Sequence, residues 1–252
     1  MVIGLDLFKE HFRPYADRYV LIGGTACELA FGETGLPFRA TKDLDIVLCV
    51  EALDRSFVET FWEFVRGGKY KVQQKATGRR QFYRFKEPAT KGYPFMLELF
   101  SRAPDMLQVA NESHLTPIPI GKEVASLSAI LLDDDYYRFL QGGKKDSDGL
   151  SFVGPEHLIP LKTRAWLDLS RRKEKGETID SKDIKKHRND VFRLYRILNP
   201  DFGGDIPDKV KDDLREFVSC METEKIDFES LGLGSTNLDS VLEEIRRIYD
   251  LD

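Results

Sequence analysis

The sequence predicts an α+β protein in two parts, a strand-bearing domain over residues 1–121 and a mainly helical domain over residues 122–252. Three observations carry this. Short apolar runs of strand length cluster before residue 100, and long amphipathic stretches take over after Gly121. Between residues 19 and 50, one apolar run ends in Gly23-Gly24 and a second carries Asp43 and Asp45, one residue apart. An apolar share of 41% with 11% aromatics is enough to fill a core in a chain of 252 residues.

Leu5, Phe8, Phe12 and Tyr15 recur at helical spacing and predict a helix over residues 5–17. A strand over 19–22 runs into the glycine pair, and a short helix follows over 25–31, with Thr25 placed to cap it. A Gly/Pro loop over 32–38 leads to a strand over 44–50. An amphipathic helix over 52–65 ends at Gly67-Gly68. Strands follow over 70–74, 81–85 and 95–100, the middle one alternating as a half-exposed antiparallel strand does. Pro117 and Pro119 demote 115–120 to an edge strand or an extended connector. Helices are expected over 124–140, 155–172, 181–198, 208–220 and 238–249, the second opened by Gly154-Pro155. The polar, glycine-rich 141–149 and the segment 171–177 read as mobile loops.

Composition excludes several classes of function. No apolar run approaches the ~20 residues of a membrane span, and the first ten residues lack a basic segment leading into a long apolar one. Cys27, Cys49 and Cys220 are widely spaced, have no metal-ligand pattern, and fit reduced, buried thiols in a cytoplasmic protein. There is no Gly-x-Ser-x-Gly elbow, Walker A sequence or His-Glu-x-x-His. The net charge of −5 argues against nucleic-acid binding by the whole surface. The charge is uneven, however. Residues 162–196 hold twice as many Lys and Arg as Asp and Glu, and 66–86 interleaves basic residues with aromatics. The acidic balance sits at Asp133-Asp134-Asp135, Asp212-Asp213 and the C-terminal helix.

The chemistry concentrates at the two aspartates. Side chains two apart on a strand share a face, about 7 Å apart along the backbone. Two carboxylates so placed do not stay ionised comfortably without a cation, and an oxygen-only donor set suits Mg²⁺ or Mn²⁺. The glycine turn beside them lets backbone approach a phosphate closely. The pattern is that of a metal–nucleotide site.

Gly23-Gly24 followed within twenty residues by Asp43-Leu44-Asp45 resembles the signature of the polymerase-β-like nucleotidyltransferase superfamily. Gly23-Gly24-Thr25-Ala26 and Arg39-Ala40-Thr41-Lys42-Asp43-Leu44-Asp45 are most similar to the AbiEii-type nucleotidyltransferases, toxins paired with an antitoxin, with Thr41 where those carry Ser. The resemblance covers residues 18–100 well and 155–198 loosely. It implies a nucleotidyltransferase-like first domain, a mixed sheet with helices on one side, and a helical domain that completes the nucleotide cleft. It also implies transfer of a nucleoside monophosphate from an NTP to an acceptor hydroxyl.

On that resemblance, Asp43 and Asp45 hold the metal, and Glu98, the lone charge in Phe95-Met-Leu-Glu-Leu-Phe100, is a third metal ligand or the base. Gly23, Gly24 and Thr25 hold the triphosphate. Arg39 and Lys42 neutralise phosphate or pair with the carboxylates. Lys162 reaches for phosphate from a downstream helix, and Asp183 or Asp190 completes the cleft from the next. Asp183, His187 and Asp190 lie on one helical face, with His187 read as structural. The partners implied are an NTP, an RNA or protein acceptor (tRNA in some related toxins) and an antitoxin. An NTP-binding regulatory module and an antibiotic-type small-molecule nucleotidyltransferase are the alternatives.

Overall fold

The computed structural model describes residues 2–49, 55–72, 84–100 and 133–252. The expected boundary at residue 121, the prolines of 115–120 and most of the helix expected over 124–140 lie outside these residues.

Helix α1 (Leu5–Phe12) stops earlier than the apolar spacing predicts, because Pro14 turns the chain into a 3₁₀ turn over Arg13–Tyr15. Strand β1 (Tyr19–Ile22) passes directly into α2 (Gly23–Glu33), so the glycine pair is the first residue pair of the helix rather than a separate turn. Then follow β2 (Asp43–Leu48), α3 (Arg55–Gly68), β3 (Lys71–Val72), β4 (Arg84–Lys86) and β5 (Met96–Phe100). The second half contributes α4 (Asp134–Gly142), β6 (Lys144–Ser147), β7 (Leu150–Val153), α5 (Pro155–Glu174), α6 (Ser181–Tyr195), α7 (Asp208–Met221) and α8 (Leu238–Tyr249).

The fold is α+β, built on a mixed seven-stranded sheet in the order β3-β4-β5-β2-β1-β7-β6. β2 runs antiparallel to β1 and parallel to β5, and β7 joins β1 in parallel. Two expectations are corrected here. Residues 141–149, expected as a mobile loop, instead close α4 and supply the first strand and turn of a β-hairpin over 144–153. Asp148 and Gly149 both take positive φ (53° and 79°), the backbone of the tight Asp-Gly turn whose twist matches two antiparallel strands. The basic stretch 171–174 is the last turn of α5, not a loop.

Register assigns the two faces. Tyr19, Leu21, Ile46, Leu48, Leu97 and Phe85 share one face, since directly paired residues point the same way. This face lies under α1 and α3 through an aromatic cluster: Phe8 meets Tyr19 with ring centroids 5.3 Å apart, Phe8 meets Phe64 at 5.7 Å, and Phe61 meets Phe85 at 5.7 Å. Asp43, Asp45, Glu98 and Arg84 occupy the opposite face, toward the helices of the second half.

Helix α5 is central to that half. Every residue from Pro155 to Thr163 is buried, Lys162 and His157 included. Pro160 sits inside it and has no N–H to give to the carbonyl of Glu156. Tyr249 at the end of α8 makes good the loss, donating its hydroxyl to Glu156 O at 3.0 Å. A helix defect thereby fixes where α8 docks.

Candidate active site

Asp43 opens β2 and Asp45 follows on the same face, with Glu98 of β5 paired directly beside Asp45. Ile22 of β1 is the other neighbour of Asp45, so Gly23 arrives against the Asp45 carboxylate. A Cβ on Gly23 would lie 1.7 Å from Asp45 Oδ2, and Gly23 holds φ +66°, a conformation that side chains disfavour. Gly24 is equally confined, since a Cβ there would stand 2.5 Å from Thr41 Oγ1. Both glycines exist for close approach.

Helix α2 begins here with no side-chain cap at Ile22, which leaves its first N–H groups without the usual acceptor. Thr25 does not cap the helix, contrary to expectation. Its buried hydroxyl donates to the carbonyl of Asp43 at 2.7 Å and ties α2 to the start of β2. Thr25 therefore positions the aspartate strand, and its proton is committed to the backbone rather than to a phosphate.

Among the described residues, neither Asp43 nor Asp45 makes a side-chain hydrogen bond or ion pair. Burial, then the charge of Glu98, pushes Asp45 up to about 7, although Lys162 pulls the other way. Burial raises Asp43 as well, opposed by the charges of Lys186, Lys86, Arg84 and Lys42. Two desolvated carboxylates on one face with no directly paired cation among the described residues are what an oxygen-binding divalent cation relieves. The residues fit that group as a pair; a ready-made cluster of three or more His, Cys, Asp or Glu ligands does not occur among the described residues. Glu98 is instead held by an arginine. Arg84, opposite it on β4, donates from both Nε (2.8 Å) and Nη2 to the same oxygen, Oε1. Its other oxygen, Oε2, carries no hydrogen bond among the described residues.

Between the alternatives Asp183 and Asp190, the structure chooses Asp190. Asp190 is fully buried on α6 and gathers three cations: Arg39 in a two-point contact at 2.9 and 2.6 Å, Lys162 at 3.4 Å and Arg193 at 3.2 Å. Burial alone would raise its pKa, but Lys162, Arg39 and Arg193 outweigh this and hold it down at about 2. Asp183 is exposed in the first turn of α6, nearly two turns away, and takes no part. Arg39 accordingly pairs with Asp190 and not with the β2 carboxylates. Lys162 is buried and lies between Asp190 and Asp45, lowering the pKa of both. Lys42 is exposed and contributes only its charge. His187 is held neutral, its pKa lowered to about 3 by burial and Lys162, and its Nδ1 has no hydrogen-bond partner among the described residues.

Two cations were missed by the motif reading. Lys186, one residue before His187, faces the carboxylates, its pKa lowered by burial and by Arg39 and Lys162. Arg84 belongs to the basic stretch 66–86, but only its register with Glu98 reveals its role. Of the thiols, Cys27 and Cys49 are buried as expected while Cys220 is exposed.

No protein-family model matches the chain, and a search among curated proteins finds no match. Among solved structures, an antigenic nucleotidyltransferase-like protein from Paracoccidioides brasiliensis is similar at 15% identity and a TM-score of 0.44, over 97% of this chain and 95% of that chain. So slight a likeness leaves the site to be argued from its own residues.

The glycine constraint is testable. Gly23→Ala is expected to destabilise the protein by about 2 kcal/mol or more, from left-handed strain plus displacement of Asp45. Gly35→Ala is the control: φ is +71° but nothing lies within 4 Å of a Cβ there. Urea midpoints of the two variants should differ, with Gly23→Ala the lower; equal midpoints would mean that Asp45 yields without cost.

Proposed function

We propose that this chain is a metal-dependent nucleotidyltransferase that moves a nucleoside monophosphate from an NTP to an acceptor hydroxyl and releases pyrophosphate. The observation that carries the reading is the Asp43–Asp45 pair, desolvated, without a directly paired cation among the described residues, and set against the uncapped N-terminus of α2. In this reading Asp43 and Asp45 hold Mg²⁺ or Mn²⁺, which when bound neutralises phosphate charge and polarises the phosphoryl oxygens. The free N–H groups at the start of α2 receive a phosphate, as helix N-termini do. Lys186, Lys86 and Arg84 set a positive flank beside Asp43, and Lys162 carries positive charge to the floor of the cleft. Asp190 does not touch substrate; it holds Lys162 and Arg39 in place. Glu98 Oε2 is the candidate base for the acceptor hydroxyl, with Arg84 fixing the carboxylate through Oε1. Catalysis of this kind is mostly positioning and charge neutralisation.

The acceptor we favour is an RNA hydroxyl, on the strength of the basic flank and the basic stretch 162–196. A role as an AbiEii-like toxin with an antitoxin partner is the finer part of the proposal and rests on the motif wording around Gly23, Arg39 and Asp45. No helix among the described residues is long and apolar enough to cross a membrane. A second reading, NTP binding with little turnover, draws support from the hold of Arg84 on Glu98.

Calorimetric titration of each NTP with Mg²⁺, followed by incubation of α-labelled NTP with total RNA, separates these readings. Metal-dependent binding with label on RNA is the expected result. Binding without label on any acceptor would move the assignment to the regulatory reading. No binding would remove the nucleotide site altogether.

A further inference from the structure

Away from the carboxylate face, α4, the start of α5 and the segment leading into α7 enclose a cavity of about 560 Å³, within the range of small-molecule sites. Its apolar wall is aromatic. The His157 ring lies 4.4 Å from Phe139 and 5.7 Å from Phe202, centroid to centroid. His157 is 9% exposed, and its Nδ1 makes no hydrogen bond among the described residues. Burial, then the charge of Lys145, holds this imidazole neutral, with its pKa down at about 4. Gly143 makes room for it, since a Cβ there would meet the ring at 2.2 Å.

The rim is acidic. Asp135, Asp205 and Asp208 line the cavity with one cation, Arg138. Arg138 is already paired with Asp135 at 2.7 Å. Asp205 and Asp208 make no side-chain hydrogen bond or ion pair among the described residues, and both are exposed to the mouth of the cavity. An aromatic wall that favours a flat cation and two carboxylates without a partner among the described residues select the same chemistry. A phosphate or nucleotide would meet net negative charge here, so this is not a second site for the NTP.

We propose that this cavity is a binding site for a small organic cation with a planar apolar body, an arylamidine or arylguanidine in shape and charge. The cation sits against Phe139, His157 and Phe202 and directs its N–H groups to Asp205 and Asp208.

The test uses the full chain and three isosteric probes: benzamidine, neutral benzamide and anionic benzoate, each titrated by NMR chemical-shift perturbation on isotope-labelled protein. Benzamidine should shift resonances of Phe202 and Asp205 saturably, while benzamide binds at least tenfold more weakly and benzoate does not bind. In Asp205→Asn/Asp208→Asn, exposed positions that leave folding intact, benzamidine affinity should fall about tenfold. Equal binding of benzamidine and benzamide, an unchanged affinity in the double variant, or shifts confined to other parts of the protein would each overturn the proposal. The outcome is independent of the nucleotidyltransferase reading, because none of the cavity residues belongs to the carboxylate site.

Discussion

Asp45→Asn is expected to abolish nucleotidyl transfer and, in metal-free buffer at pH 8, to make the protein more stable. The two effects have one cause. Asp45 is forced toward its protonated form by burial and by Glu98, which push its pKa to about 7 from an ordinary 3.8. A carboxyl raised in the native state binds its proton there over a pH window in which the unfolded chain has released it. Stability therefore falls as pH rises from about 4 to about 7. Asn has the same shape and no charge to desolvate, so this slope disappears. With solvent screening at the half-buried site taken into account, the gain at pH 8 is about 2 kcal/mol, or roughly 5 °C in Tm for a chain of this size. Removing the charge also removes the means of holding a divalent cation, so activity should fall on the order of a thousandfold.

Added Mg²⁺ or Mn²⁺ should reverse the order of stabilities. The cation binds only the native wild type and stabilises it by mass action, whereas Asp45→Asn gains little. Melting curves at pH 5 and pH 8, with and without metal, check all of this together. A variant that melts at or below wild type in metal-free buffer at pH 8 would mean that Asp45 is adequately paired and that the site is no metal cradle. Trading stability for a charged site in this way is common where activity needs a group that folding alone would reject.

The β2 half of this site was legible in the sequence because its chemistry is local. Gly23, Gly24, Asp43 and Asp45 lie within 25 residues, and strand alternation alone puts the two carboxylates on one face. What was not legible depends on register between distant strands and on helix rotation. Arg84 meets Glu98 because β4 pairs with β5 at that one register; one residue of slip would send Arg84 to the other face. Asp183 and Asp190 share a helical stripe, and only the docking of α6 on α5 decides which end of the stripe is buried. The Asp148-Gly149 turn was within reach, since Asp-Gly is a strong hairpin signal. The polar strand Lys144–Ser147 hid it, as an edge strand that buries little of its own surface.

The largest loss of stability is expected from Asp190→Asn. Asp190 is the carboxylate with which Arg39, Lys162 and Arg193 all pair, and Lys162 is itself buried. Removing its charge strands cations in the interior, where breaking a buried pair costs about 3–5 kcal/mol, and Tm should drop by about 10 °C. The pH dependence has the opposite sign to that of Asp45. The pKa of Asp190 is depressed to about 2, so its stabilisation is present above pH 4 and is lost as pH falls toward 2; the variant should lack this acid slope. Lys162→Met/Asp190→Leu then distinguishes structure from function. Replacing ion partners by apolar residues of similar volume commonly restores stability, so the double variant should recover much of what Asp190→Asn loses. It should not recover NTP affinity, because the positive charge beneath Asp45 is gone. Recovery of both would make the buried ion network a packing device only and would remove Lys162 from the nucleotide site. Recovery of stability alone would show that this fold retains a costly ionic core for the sake of the charge it delivers to the cleft.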